Sequence, residues 1–195
     1  MNIVSKRAVK SILLTLIALA GMTQLTQGSY IKLKASAADW LIQSSWANRN
    51  ASGRTVKPWP WADTWVSAKL TVPRLSIEQY VMKDASGESL AFGPGFVSLP
   101  DQYDNQPTSI VAGHRDTHFQ FLKDLRAGDR FQLENALGHT NHYQVVTRQV
   151  IDTEERAITI DPESNQLILV TCYPFESLLT GGSERFVVVA VATAS

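Results

Sequence analysis

The chain has 195 residues, of which 44% are hydrophobic and 18% are charged. This composition is typical of a globular protein with one ordinary domain and an N-terminal appendage, and it excludes a disordered chain. Eighteen basic residues balance eighteen acidic ones, and no basic patch or stripe is visible. The sequence therefore predicts no nucleic-acid partner.

The N-terminus has the pattern of an export signal. Basic residues between positions 6 and 10 precede an apolar run over residues 11–22, as in the basic region and apolar core of a secretory signal. The run is shorter than the ~20 residues that usually span a bilayer, although tilting or membrane thinning can accommodate it. Since Ala18-Leu19-Ala20 resembles a cleavage site, the sequence predicts export and leaves open whether the segment is cleaved or stays as an anchor.

A helix is predicted next, over residues 30–50, because apolar residues recur there at roughly helical spacing. Gly53, Pro58 and Pro60 then indicate a loop. We therefore divide the chain into a signal or membrane-anchor segment (1–28), a helical stalk with a Pro- and Trp-rich loop (29–60), and a body (61–195).

From residue 65 onward the pattern changes to short strands rich in β-branched and aromatic residues. A turn is predicted at 84–87 and a short helical turn at 119–125. Six to eight short strands with no long helix among them predict an all-β barrel or sandwich and disfavour a doubly wound α/β fold. The predicted strands cover 65–72, 77–83, 109–112, 130–133, 143–152, 167–171 and 185–192.

Cys172 is the only cysteine, so the chain has no internal disulfide, and the thiol is free, paired with another chain, or reactive. In an oxidising compartment a free thiol is a chemical liability. Cys172 ends an apolar strand, and Tyr173-Pro174 then terminates regular pairing, which points the side chain toward a loop-lined cleft. From these residues alone, a reactive nucleophile and a small buried hydrophobe remain equally open.

Two further polar residues stand at strand ends. His114 follows the strand at 109–112, and an imidazole can take the proton of a thiol and return it to a leaving amine. Arg185 opens the last strand, and a fixed guanidinium can stabilise charge on a scissile carbonyl oxygen. Taken singly, a surface histidine and an arginine paired with Glu184 or Glu176 are the more ordinary interpretations.

The order His114, Cys172, Arg185 resembles the sortase family of cysteine transpeptidases. The local motifs agree, with Gly-His after one strand, Thr-Cys ending another and Arg opening the last. The common Thr-Leu-Thr-Cys motif is replaced here by Leu-Val-Thr-Cys at residues 169–172, where strand positions tolerate apolar exchange. The resemblance covers residues from about Trp61 onward.

Three further segments refine the resemblance. They are Asp-Thr-Trp at 63–65, Leu-Ala-Phe-Gly-Pro-Gly at 90–95 and Ala-Gly-His-Arg-Asp-Thr at 112–117. Together they look like the proteobacterial sortases related to class D.

This resemblance implies a sortase-type eight-stranded β-barrel that acts without a cofactor. It cleaves an LPXTG-like sorting signal between Thr and Gly and passes the acyl group to an amine. Cys172 would attack the Thr carbonyl, His114 would exchange protons with the amines, and Arg185 would offset oxyanion charge, assisted by a backbone N–H near Tyr173. The implied substrate-binding residues are Thr171, Tyr173, Arg115 and Ala112.

The implied partners are an exported protein with a C-terminal LPXTG-like signal, an amine acceptor, and the membrane through the N-terminal segment. The implied location is the inner membrane, crossed once with the N-terminus inside and the catalytic domain in the periplasm. The activity would be that of a cysteine transpeptidase and endopeptidase.

Metal binding is a rival interpretation of the histidines. His114 and His118 are four residues apart, but this stretch follows a strand, and no cysteine pair supports a zinc site. We predict no metal, and we expect His118, His139 and His142 to lie at the surface or at the groove edge. The acidic residues Asp101, Asp104, Glu154 and Glu155 are interpreted as solvated loop charges.

Two other functions compete with acyl transfer by a sortase. An L,D-transpeptidase is disfavoured because its His-Gly and Ser/Thr-His-Gly-Cys motifs are absent. A non-catalytic exported β-domain that binds peptides along a strand edge stays open, and it predicts that Cys172→Ala leaves function intact.

Overall fold

A computed structural model of the chain describes residues 6–52, 56–98, 108–158, 164–177 and 181–193. Two helices and eight strands lie within these residues, joined by 3-10 turns at Pro73–Leu75 and Gln120–Asp124. The elements are α1 (Lys6–Ser52), β1 (Val66–Val72), β2 (Ile77–Met82), α2 (Gly87–Leu90), β3 (Gly95–Ser98), β4 (Thr108–Ala112), β5 (Arg130–Asn135), β6 (Thr140–Asp152), β7 (Gln166–Cys172) and β8 (Glu184–Ala192).

The strands close into a barrel in the order β1-β2-β3-β4-β7-β8-β6-β5. The pairs β2–β3 and β4–β7 are parallel, and the other strand pairs are antiparallel. Within the described residues, closure gives every strand two neighbours. The prediction of an all-β, eight-stranded barrel preceded by an apolar helix is therefore confirmed.

The region from residue 84 to 98 differs from the prediction. α2 begins at Gly87, inside the predicted turn, and the Ser86 hydroxyl accepts a hydrogen bond from the Ser89 N–H (3.3 Å). β3 was not predicted, because it has only four residues and follows the Gly-Pro-Gly punctuation. A Cβ atom at Gly95 would lie 1.9 Å from the Asp84 carbonyl oxygen, so only glycine lets the chain pass here.

β7 is buried on both faces. Leu167 and Leu169 lie in the barrel core, while Ile168 and Val170 lie in a second apolar cluster with Val187 of β8. This division follows from the alternation of side chains along a strand. Burial of each such side chain contributes roughly 1.5–3 kcal/mol, so β7 is a firmly held element up to its last residue.

The chain divides into two compact units, Met1–Trp40 and Leu41–Ser195. In the second unit the last turns of α1 pack on the barrel, where Ile42 and Trp46 are buried against Val66 and Met82. In the first unit the apolar side chains of α1 are exposed. Among the described residues, α1 is the one helix long and apolar enough to cross a bilayer, a property that signal sequences share.

Candidate active site

Cys172 is the last residue of β7, and its side chain is exposed. In the antiparallel pair with β8 it lies directly opposite Arg185. Directly opposed residues place their side chains on the same face with Cβ atoms about 4.5–5.5 Å apart. The register alone therefore brings these two predicted residues together on the outer face of the barrel.

His114 reaches the same place from β4. β4 and β7 are parallel neighbours, with Ala112 paired to Val170, so both strands end at the same edge of the sheet. The Gly113 N–H extends this pairing with a hydrogen bond to the Val170 carbonyl oxygen (3.2 Å). The side chain of His114 is exposed and lines the same cavity as Cys172.

This cavity, of about 810 Å³, is built by three segments around the strand ends. They are the residues after β4 (113–118, the His loop), the described residues between β7 and β8 (173–177 and 181–183, the β7–β8 loop) and the end of β6. Its lining residues are His114, Arg115, Asp116, Thr117, Asp152, Cys172, Tyr173, Pro174, Ser177, Gly181, Gly182, Ser183 and Glu184. The volume suits a peptide segment or a small organic ligand.

Local packing fixes the direction of the His loop. The Thr171 hydroxyl donates to the Gly113 carbonyl oxygen (2.7 Å), and the Phe119 N–H donates to the His114 carbonyl oxygen (2.9 Å). A Cβ atom at Gly113 would lie 2.8 Å from the Phe119 ring. The small residue at 113 therefore allows the loop to cross closely over a buried aromatic ring.

Two of the predicted substrate-binding residues do not line the cavity. The side chain of Thr171 is buried, 3% exposed, with its hydroxyl bonded to Gly113, and it therefore links β7 to the His loop from the core side. Ala112, the last residue of β4, is half-buried and lies outside the set of lining residues. The substrate-binding role of Thr171 stays a prediction, and its buried side chain faces away from the cavity.

Arg115 and Tyr173 do line the cavity. The Arg115 guanidinium is engaged with the protein itself, since it donates to the carbonyl oxygens of Pro174 (2.9 Å) and Ser177 (2.6 Å). The Tyr173 N–H, considered as a possible oxyanion donor, donates to the Glu184 carbonyl oxygen (3.1 Å). That donor is therefore occupied by strand pairing.

Arg185 is half-buried and forms no ion pair among the described residues. Its Nη1 atom donates to the carbonyl oxygens of Gly182 (2.6 Å) and Glu184 (2.9 Å). Instead of the expected ion pair with Glu184 or Glu176, Arg185 thus bonds to backbone carbonyl oxygens of nearby residues. The Nε and Nη2 donors have no hydrogen-bond partner in the described part of the chain.

Asp152, the last residue of β6, lines the cavity, although the sequence predicted it only as the end of a strand. A hydrogen bond with the Ser183 side chain and another from the Glu154 N–H lower the pKa of this carboxyl group. With Asp116 and Glu184 it makes the cavity wall partly acidic. Within the described ranges no group of three or more His, Cys, Asp or Glu side chains is placed to hold a metal ion.

Comparison with known proteins places this geometry in a family. The sortase domain family model matches residues 70–193, more than half of the chain. Sortase D of Bacillus subtilis (strain 168) is 28% identical over 123 residues, which are 63% of this chain and 61% of sortase D. The chain therefore spans less than two thirds of that relative.

Solved structures agree on the barrel. Sortase C-1 of Actinomyces oris matches with a TM-score of 0.54 and 25% identity, over 66% of this chain and 72% of that one. Sortase A of Corynebacterium diphtheriae matches in fold with a TM-score of 0.59 and 21% identity, over 91% and 94% of the two chains. The residues that the sortase family model matches (70–193) contain all of β2–β8 with the strand-end cysteine, histidine and arginine. The chain therefore belongs to the sortase family.

Proposed function

We propose that the chain is a membrane-tethered cysteine transpeptidase in which Cys172 is the nucleophile, His114 the proton carrier and Arg185 the anion-stabilising group. One observation carries this assignment. Cys172 stands directly opposite Arg185 at the end of a firmly packed strand pair, and Cys172 and His114 line the same cavity, whereas Arg185 is not among its lining residues. A nucleophile, a proton carrier and a cation at one strand edge suit acyl transfer.

The proposed reaction has two halves. In the first, the Cys172 thiolate attacks the carbonyl carbon of the scissile peptide bond, the C–N bond breaks, and His114 donates a proton to the departing amine. The product is a thioester between substrate and Cys172. In the second half an amine gives its proton to His114 and attacks the thioester, and the thiolate leaves. When water takes the place of the amine, the same enzyme acts as an endopeptidase.

Arg185 serves the first half in this proposal. The attack places negative charge on the carbonyl oxygen, and a guanidinium on the same strand face can offset it. Nη1 is held by two backbone carbonyls, which limits the freedom of the side chain. The Nε and Nη2 donors are the ones we assign to the substrate.

Membership of the sortase family supports a proposal for the substrate and the cellular setting. We infer that the donor is an exported protein with a C-terminal LPXTG-like signal, that the acceptor is an amine, and that the chain is closest in type to the class D-like enzymes of proteobacteria. The 28% identity to sortase D supports the class. We also propose the division into an anchor (1–28), a stalk (29–60) and a catalytic body (61–195), with α1 crossing the inner membrane once and the body in the periplasm. The exposed apolar surface of α1 supports the anchor.

The test uses the full chain in detergent micelles with a pool of LPXTG-type peptides, with and without a primary amine, and mass spectrometry of both peptides and protein. We expect cleavage after Thr, an amine-joined product, and an acyl adduct that maps to Cys172. Cys172→Ala should abolish all three, while His114→Ala and Arg185→Ala should lower the rate by about 10²-fold or more.

The alternative of a non-catalytic peptide-binding domain gives the opposite result. In that case the wild-type chain retains peptides without cleaving them, and Cys172→Ala binds them equally well. Absence of any Cys172-linked acyl adduct across a broad peptide pool would refute the transpeptidase proposal.

A further inference from the structure

Arg115 makes an unusual contact for a residue that lines a substrate cavity. Its Nη1 atom donates to the Pro174 carbonyl oxygen (2.9 Å) and its Nη2 atom to the Ser177 carbonyl oxygen (2.6 Å). The Ser177 N–H also donates to the Pro174 carbonyl oxygen (3.3 Å), so the guanidinium closes over a turn of the β7–β8 loop. A planar fork with several donors suits such a two-point contact, and an ammonium does not.

This contact lies close in sequence to both proposed reactive residues. Arg115 is the neighbour of His114, and Pro174 lies two residues after Cys172. On the other side, Gly113 and Thr171 are joined by the Thr171 hydroxyl (2.7 Å). The Thr171–Gly113 bond therefore lies just before both reactive residues in their segments. The Arg115–Pro174 bond lies just after both of them.

The β7–β8 loop is held from its other side by aromatic rings. Tyr173 stacks on Phe186 with the ring centres 6.3 Å apart, and Phe175 packs edge-on against Phe186 at 5.2 Å. Phe175 and Phe186 pack in turn on the barrel core. These contacts fix the start of the loop to the core, while the two Arg115 bonds fix it to the His loop.

We propose that Arg115 is a positioning residue that holds the β7–β8 loop against the His loop and thereby sets the separation of His114 from Cys172. The kinetic half of this proposal rests on the proposed transpeptidase function, whereas the structural half does not. The family resemblance implied substrate binding for Arg115, whereas the observed contacts join it to the protein's own backbone. Loss of a fixed geometry affects the rate of the chemical step more than the binding of substrate.

The test compares Arg115→Ala and Arg115→Lys with a matched control, Arg148→Ala. Arg148 also donates a guanidinium hydrogen bond to a loop carbonyl, that of Leu125, but it is outside the cavity lining. All variants are studied as full chains in detergent micelles. Hydrogen–deuterium exchange by mass spectrometry reports on the loops, and peptide cleavage gives kcat and KM separately.

For Arg115→Ala we expect faster exchange in peptides that cover 113–118 and 173–177, with the strands unchanged, and a fall in kcat of about tenfold or more at nearly constant KM. Arg115→Lys should recover little of this loss, because one ammonium cannot reproduce the fork. Arg148→Ala should leave kcat and the exchange of both loops as in the wild type.

Three results would overturn the proposal. Unchanged loop exchange in Arg115→Ala would show that the contact does not hold the loops. A rise in KM at constant kcat would return Arg115 to substrate binding. Full recovery by Arg115→Lys would show that the positive charge matters and the fork does not. If the wild-type chain cleaves no peptide, the transpeptidase function fails, and loop exchange alone then decides whether Arg115 holds the loops together.

Discussion

The close approach of the His loop to Phe119 makes Gly113→Ala a sharp test of the site. The added Cβ atom would lie 2.8 Å from the nearest ring atom, whereas carbon atoms pack at about 3.5–4.0 Å. Phe119 is fully buried and packs edge-on against Phe121 at 5.8 Å, so the ring has little room to move. The backbone at 113 must therefore shift by about 1 Å, and His114 moves with it.

Gly113→Ala should lower both the stability of the fold and the rate of the reaction. Overpacking of this kind costs about 1–3 kcal/mol of the free energy of unfolding, and a displacement of about 1 Å at a catalytic group can cost 10²-fold in rate. Thermal unfolding of the full chain in detergent, followed by near-ultraviolet circular dichroism, gives the first. Peptide cleavage gives the second, with the loss expected in kcat.

The matched control is Gly87→Ala, because a Cβ atom there meets nothing within 4 Å. It should unfold as the wild type does and keep full activity. Adding Phe119→Leu to Gly113→Ala should recover part of the lost kcat, since the smaller side chain relieves the contact. The reasoning is wrong if Gly113→Ala matches Gly87→Ala in both stability and kcat.

Two further predictions concern hydrogen bonds. Thr171→Val leaves the Gly113 carbonyl oxygen without its hydroxyl donor and should cost about 1–3 kcal/mol of unfolding free energy. Thr171→Ser keeps the hydroxyl and should keep most of that stability. Equal losses in the two variants would exclude the hydroxyl as the cause. Burial would raise the pKa of Asp84, but hydrogen bonds from Ser86 and Ser89 lower it to about 2, below the ~3.9 of an unfolded chain. Asp84 thus stabilises the fold above about pH 4 by about 1 kcal/mol, after allowance for its exposure, and loses this as the pH falls to about 2. The stability gap between wild type and Asp84→Asn, measured by urea unfolding, should close over that range; a constant gap would contradict this origin.

Strand positions were predictable from sequence because local chemistry determines them. β6 mixes β-branched and polar residues, β8 is a Val-rich run, and turn residues precede both strands. β3 was missed because tertiary pairing determines it, through a single register pair of Met82 with Gly95 and a hydrogen bond from the Met82 N–H to the Pro94 carbonyl oxygen (2.7 Å). Neither contact leaves a periodic pattern in the sequence.

The sequence predicted which residues gather at the strand ends, and it was less informative about the directions of their side chains. Consecutive side chains of a strand face opposite ways, so if Cys172 faces the cavity, Thr171 must face the core. Strand geometry therefore already excluded a shared wall for these two residues. The contacts of Arg115 lie beyond such reasoning, because they depend on the conformation of the β7–β8 loop, which no local pattern specifies.

The opposition of Cys172 and Arg185 depends on the register of β7 against β8, and the loop between them is too long to fix that register by itself. The second apolar cluster, which lies on the outer face of β7 and β8, constrains this register. Ile168, Val170 and Val187 alternate with the core residues of the same strands, and a slip by one residue would exchange the two faces. The same slip would turn the strand-end cysteine or its arginine toward the core, where burial of an unpaired guanidinium is costly. The side-chain directions that pack β7 against β8 therefore also align Cys172 with Arg185.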